Sequence, residues 1–395
     1  MIVRQFLQWV RAARPGERAE ATSALARAYL HSDLSANDLA AAEGAMIMLL
    51  DDPSPLVRQA MADVFASSQK APAVVVRALA ADQFDVAQPL IERSPLLCEE
   101  DLVELIAAGK PPTQLAIARR PLLTTLVAAA LAEAATPEAC LALLENDDAR
   151  ITLASIERVI DRFGHLAPIR ENLLARDDLP MSMRQALLSK LSRTLAGFVA
   201  GRQWLVPEHA EYAAREACEK ATVALAADTD YEEIGDLVQH LRQSGQLTAG
   251  MVLRALLSGN IVLFEEALTE LSDLPPDRVG SHVHDRNLAG FRALYRKAEL
   301  PELAYPAFRA ALSALREGVL IGEPRDAARL KRRMVERVLE VCSEEGAEAA
   351  LLALLRRFAV EAAREEARLF CDDLVADEIV PAAARYQIID ARVAA

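Results

Sequence analysis

Interruptions of helical periodicity recur along this chain about every 30 to 35 residues, or at close to twice that spacing, and such punctuation leaves few folds open. Apolar residues return at helical spacing nearly throughout, and the pattern breaks at Asp51-Asp52-Pro53, Gly109-Lys110-Pro111-Pro112, Asn146-Asp147-Asp148 and Asp177 to Pro180. Acceptor side chains stand before the apolar runs, as helix starts require: Ser35 and Asn37 before residues 38–50, and Thr136-Pro137 before residues 139–144. Internal echoes reinforce the period. Residues 51–61 read DDPSPLVRQAM and residues 177–187 read DDLPMSMRQAL; IERSPLL at 91–97 returns as IARRPLL at 117–123. The expected fold is all-α: a right-handed α-solenoid of helix pairs with a helical C-terminal segment.

Composition supports helix over sheet. Of 395 residues, 52% are hydrophobic but only 5% aromatic, too few for a large sheet and ample for helical cores. Three regions are expected: repeats over 1–200, a second helical array over 201–317, and C-terminal amphipathic helices over 325–395, with Gly318 to Pro324 as a hinge.

The asymmetry between 44 Lys+Arg and 58 Asp+Glu, a net charge of −14, argues against a nucleic-acid partner or an anionic membrane surface. No apolar run reaches the roughly 18 residues a membrane span needs. Arg4, Arg11 and Arg14 interrupt the N-terminal stretch, so no signal peptide is read there. The scattered Cys98, Cys140, Cys218, Cys342 and Cys371 form no CxxC pair and fit free thiols in a reducing cytoplasm.

The Asp-to-Arg spacing resembles that of HEAT repeats, where an Asp in the turn and an Arg in the second helix form a polar ladder between neighbours. Asp52 with Arg58, and Asp178 with Arg184, match those positions. After Asp148 come Ile151 and Thr152, so the middle repeats carry no clear copy. Six segments also resemble an alphaproteobacterial family, domain of unknown function 2336: 6–30, 49–66, 93–106, 114–123, 237–260 and 291–301. Residues from Arg325 onward match less clearly. That resemblance implies a cytoplasmic helical-repeat fold and no assigned activity.

Few constellations carry chemistry. Ser281-His282-Val283-His284-Asp285 holds two histidines, but on a helix they point to different sides, so no metal is expected. Glycine-rich phosphate loops, a nucleophile elbow and repeated His-Glu pairs are all missing from the sequence. No catalytic residues and no cofactor are expected. The binding candidates are basic: Arg93, Arg119 and Arg120 in the repeated echo, and Arg325, Arg329, Arg333 and Arg337, which share one helix stripe at i, i+4 spacing. That stripe is expected either to face solvent or to dock on an acidic surface, such as Glu208, Glu211, Glu216 and Glu219, within the chain or in a homodimer. The expected function is a non-catalytic scaffold for an unidentified protein or peptide partner. The alternative is a HEAT-like enzyme or small-ligand-binding protein whose site leaves no motif.

Overall fold

The computed structural model describes residues 8–10, 12–228, 231–285, 288–316 and 327–378. These residues form α-helices, with two 3₁₀ turns at Ala226–Asp228 and Glu302–Ala304, and no strand occurs among them. They divide into two compact units, residues 1–179 and 180–395.

The first unit holds α1 (Pro15–His31), α2 (Ala36–Leu49), α3 (Pro55–Phe65), α4 (Ala73–Ala80), α5 (Phe84–Arg93) and α6 (Glu99–Ala107). It continues with α7 (Pro111–Ala118), α8 (Thr125–Ala134), α9 (Pro137–Leu144), α10 (Leu153–Phe163) and α11 (Ala167–Leu174). Most have 8–11 residues, too short to be stable alone in water. Their stability comes from neighbours. Helices α1, α3, α5, α7, α9 and α11 pack each on the next of that series, and α6, α8 and α10 do the same. The helix pairs begin at Pro55, Phe84, Pro111, Pro137 and Ala167. That is a shorter period than the expected 30 to 35, because each helix has only two to three turns.

Local chemistry sets the boundaries. Thr136 Oγ1 accepts from the Ala139 amide at 3.4 Å, with Pro137 at the first helical position of α9. Thr152 Oγ1 accepts from Ser155 N at 3.2 Å and opens α10. In α5, Val86, Ala87, Leu90 and Ile91 are buried on one side, and Pro89 is accommodated inside the helix.

The second unit begins with the long helices α12 (Met181–Gly201) and α13 (Pro207–Leu225), which pack on each other. The expected boundary at 200 therefore differs from the observed division at Leu179/Pro180: residues 181–200 belong with the following array. Then come α14 (Tyr231–Gln243), α15 (Ala249–Leu257), α16 (Ile261–Ser272), α17 (Pro276–His284), α18 (Leu288–Lys297) and α19 (Tyr305–Arg316). The C-terminal hairpin is α20 (Ala327–Glu344) and α21 (Ala349–Glu378). Residues 317–326, the expected hinge, lie outside the described residues, as does Arg325. Helix α20 packs on α19 and α15 as well as on α21. Met334, Val338, Leu355 and Phe358 thereby join one core with Phe264, Phe291, Tyr295 and Phe308.

Candidate functional site

The polar ladder is the first feature to resolve. Arg18 grips the Asp52 carboxylate with two bonds, Nε to Oδ2 at 2.9 Å and Nη2 to Oδ1 at 2.8 Å. Asp52 Oδ1 also accepts the Ser54 amide at 2.8 Å, which ties the turn before α3. Arg58 donates Nη1 to the Asp52 carbonyl at 2.5 Å and forks onto Asp82, Nε at 2.5 Å and Nη2 at 3.0 Å. Burial pushes both carboxyl groups up, but the arginine and backbone hydrogen bonds outweigh it and hold Asp52 and Asp82 below the ordinary aspartate range. Of the residues named from the sequence, Asp52 bonds to Arg18 and Arg58 to Asp82. Their carboxylate and guanidinium partners, Asp82 and Arg18, were not legible, because each lies 24 or 34 residues away.

Further along, side chains grip backbone carbonyls instead. Arg120 donates Nη1 to the Ile91 carbonyl and Nη2 to the Ser94 carbonyl at 2.8 Å, closing the end of α5. Burial lowers its pKa. Asn146 Nδ2 donates at 2.8 Å to the carbonyls of both Ala118 and Arg120. Arg162 donates to Ala132 O at 2.6 Å and Ala135 O at 2.8 Å. Arg120 therefore differs from the binding candidate expected from the sequence: its guanidinium is committed to the preceding helix end. Arg93 in the last turn of α5 and Arg119 after α7 are exposed. At the second echo, Asp178 accepts from Arg176 at 3.0 Å through both oxygens, and Arg184 stands in the first turn of α12.

Of the arginine stripe, Arg329 faces a carboxylate of the other hairpin helix, and its neighbours Lys331 and Arg332 do the same. Arg329 Nε lies 3.4 Å from Glu366, Arg332 Nη1 donates to Glu366 at 3.0 Å, and Lys331 Nζ reaches Glu365 at 2.9 Å. Arg337 pairs with Glu340 on the same helix at 2.9 Å, and Arg333 is exposed. Of the acidic residues named for docking, Glu216 receives Arg357 of α21 at 3.7 Å. The cation there comes from α21 rather than from the stripe.

On α17, His284 Nε2 lies 2.8 Å from Glu265, while His282 packs beside Gly290. Among the described residues, no three His, Cys, Asp or Glu side chains converge as a metal set.

Among the described residues of the second unit, three features have the exposure or the cavity that binding needs. The tip joining α12 and α13 exposes Leu195, Phe198, Trp204, Leu205 and Val206 together, with Phe198 and Trp204 in edge contact at 5.9 Å. A cavity of about 650 Å³ lies between α12, α13 and the turn at Gly245. Within it, fully buried Gln185 donates Nε2 to Gln246 at 2.9 Å, and Thr248 donates to Glu219 at 2.9 Å. Burial raises the Glu219 carboxyl and the Cys218 thiol. A second cavity, of about 580 Å³, is lined by α13, α15, α16 and the C-terminal hairpin. Neither cavity was legible, since their residues come from helices far apart in sequence.

The family model described as "Uncharacterised protein conserved in bacteria (DUF2336)" matches residues 86–348. The match runs from α5 through α20 and so takes in part of the C-terminal hairpin. No curated protein and no solved structure matches the chain.

Proposed function

Since the chain belongs to the bacterial DUF2336 family, we propose that it is a non-catalytic protein–protein interaction scaffold, built as a right-handed α-solenoid of HEAT-like helix pairs and working in the cytoplasm. The solenoid reading is supported in the first unit by the packing of each helix on the next but one. The side-chain clamps that tie one helix pair to its neighbour support it too. The observation that carries the scaffold role is the apolar tip. Phe198 is 50% exposed, Trp204 66% and Val206 56%, and a contiguous apolar patch of this kind marks an interaction surface. Aromatic side chains are the usual anchors of such contacts. The partner surface is a protein with a complementary apolar groove, with Arg202, stacked over Phe198 at 4.9 Å, supplying charge at the rim.

The test is a photo-crosslinking amino acid placed at Leu195 or Trp204 in living bacterial cells, with exposed Arg93 as the control position. Discrete adducts at the tip positions and none at the control support the reading. Adducts no stronger at the tip than at Arg93 overturn it.

A small-ligand role is the second reading. The two cavities of the second unit favour it, because both hold buried polar atoms without hydrogen-bond partners: Gln185 Oε1 in the first, Arg254 Nε and Nη2 in the second.

A further inference from the structure

The cavity of about 580 Å³ under the C-terminal hairpin is lined by unusual side chains for a chain with a net charge of −14. Two nitrogen atoms of its lining residues are buried without an acceptor, Nε of Arg254 and Nδ2 of Asn260, while Arg254 Nη2 has only the Glu216 carboxylate at 3.7 Å. Arg254 is only 6% exposed. Its Nη1 donates to Glu361 at 2.5 Å, and its guanidinium lies over the Phe358 ring at 4.2 Å, which fixes its position. Asn260 is fixed as well, since its Oδ1 caps α16 by accepting the Leu263 amide at 3.0 Å. A buried donor without an acceptor is unfavourable, and both residues belong to the lining of one cavity of ligand size.

Charge points the same way. Lys220 and Lys331 line the cavity with Arg254. The carboxylates nearby are each engaged by cations: Glu361 by Arg254, Glu365 by Lys331, and Glu216 at 3.7 Å by both Arg254 and Arg357. Among the lining residues themselves, three cations, Lys220, Arg254 and Lys331, stand against one carboxylate, Glu365. The 12-residue helix α16 adds the positive end of its dipole, because Asn260, Ile261 and Val262 form the wall at its N-terminus. Gly259, at φ +77°, permits the sharp turn that delivers α15 and α16 to the same cavity. Val223, Ile234 and Leu369 supply an apolar side.

We propose that this cavity binds a small organic oxyanion, its phosphate or carboxylate held by Arg254, Asn260, Lys220 and Lys331 and its organic part against the apolar side. Because Lys331 and Leu369 come from the hairpin and the other groups from α13 to α16, the ligand fastens the hairpin to its unit. The inference stands apart from the scaffold reading.

The experiment is calorimetric titration of the full chain with phenyl phosphate and with benzoate, at constant ionic strength set by chloride. The two probes share a ring and differ in the oxyanion, so their order of affinity identifies the headgroup. The expected result is saturable binding of at least one probe at one site per chain. Lys220→Gln with Lys331→Gln should weaken it at least tenfold. Asn260→Ser, which keeps a helix cap, should weaken it severalfold. Circular dichroism and thermal midpoints must show both variants folded. Hydrogen exchange of α20 and α21 should slow when the probe binds. Failure of both probes to saturate overturns the proposal. So does binding that the variants leave unchanged, which marks adventitious anion association. Trp204→Ser serves as the control that separates the two readings, since it removes the tip anchor and should leave probe affinity as it is.

Discussion

Arg58 joins two neighbouring helix pairs through Asp82. Its Nε and Nη2 fork onto the two carboxylate oxygens at 2.5 and 3.0 Å while Nη1 holds the Asp52 carbonyl at 2.5 Å. One guanidinium therefore closes the turn of its own pair and pins the next. Asp52 repeats the arrangement one step earlier with Arg18. Both side chains of the Arg58–Asp82 pair are less than a fifth exposed, so breaking it strands a charge that water reaches poorly.

Asp82→Asn should cost about 2–3 kcal/mol of stability, in the range for removing one partner of a half-buried, bidentate pair. Urea denaturation with a double-mutant cycle against Arg58→Ala measures it. A coupling energy near zero would show that the pair is geometric only.

Acid should unfold the first unit through the same carboxylates. Their folded pKa values lie below the ordinary 3.8. The stability they confer is thus complete above the unfolded value and is lost as pH falls through the folded one. Wild type should lose stability below about pH 4.5 more steeply than the double variant Asp52→Asn with Asp82→Asn. Thermal melts from pH 3 to 7 check this.

Glu219 should behave in the opposite sense. Burial raises its folded pKa above 4.5, so its favourable contribution is present at low pH and disappears as pH rises through the folded value. Glu219→Gln keeps an acceptor for the Thr248 hydroxyl and should raise the melting temperature at pH 7 by a few degrees. At pH 4 the two proteins should melt alike.

Asn146→Ala removes the donor shared by the Ala118 and Arg120 carbonyls. It should destabilise the chain by about 1–2 kcal/mol. A urea midpoint unchanged from wild type would show that solvent satisfies those carbonyls equally well.

Thiol labelling should divide the five cysteines. Cys98 and Cys371 are exposed, whereas Cys140, Cys218 and Cys342 are buried. Burial pushes the thiols of Cys140 and Cys342 up to about 11. A disulfide reagent at pH 8 should modify two thiols per native chain quickly and the other three only on unfolding. Mass spectrometry of the labelled peptides identifies them, and rapid labelling of Cys140 or Cys342 would contradict the packing around them.

The sequence by itself determined the helical class, the positions of most helices and the family. Those properties are written in local periodicity, in caps such as Thr136 and Thr152, and in punctuation by proline and glycine. It also singled out Asp52 and Arg58, because both sit at the turn and helix positions where an i-to-i+6 pattern recurs. Tertiary structure decided the partners. Arg18 meets Asp52 over 34 residues, Arg120 reaches the end of α5, and Arg254 meets Glu361 over 107 residues. No local pattern encodes these separations, since they follow from how whole helices stack. The same holds for Arg329, whose carboxylate Glu366 comes from α21, and for both cavities. An arginine in sequence is only a charge on a helix face. Whether it grips a carbonyl, crosses to another helix or lines a cavity depends on what the packed neighbours leave within reach of its guanidinium.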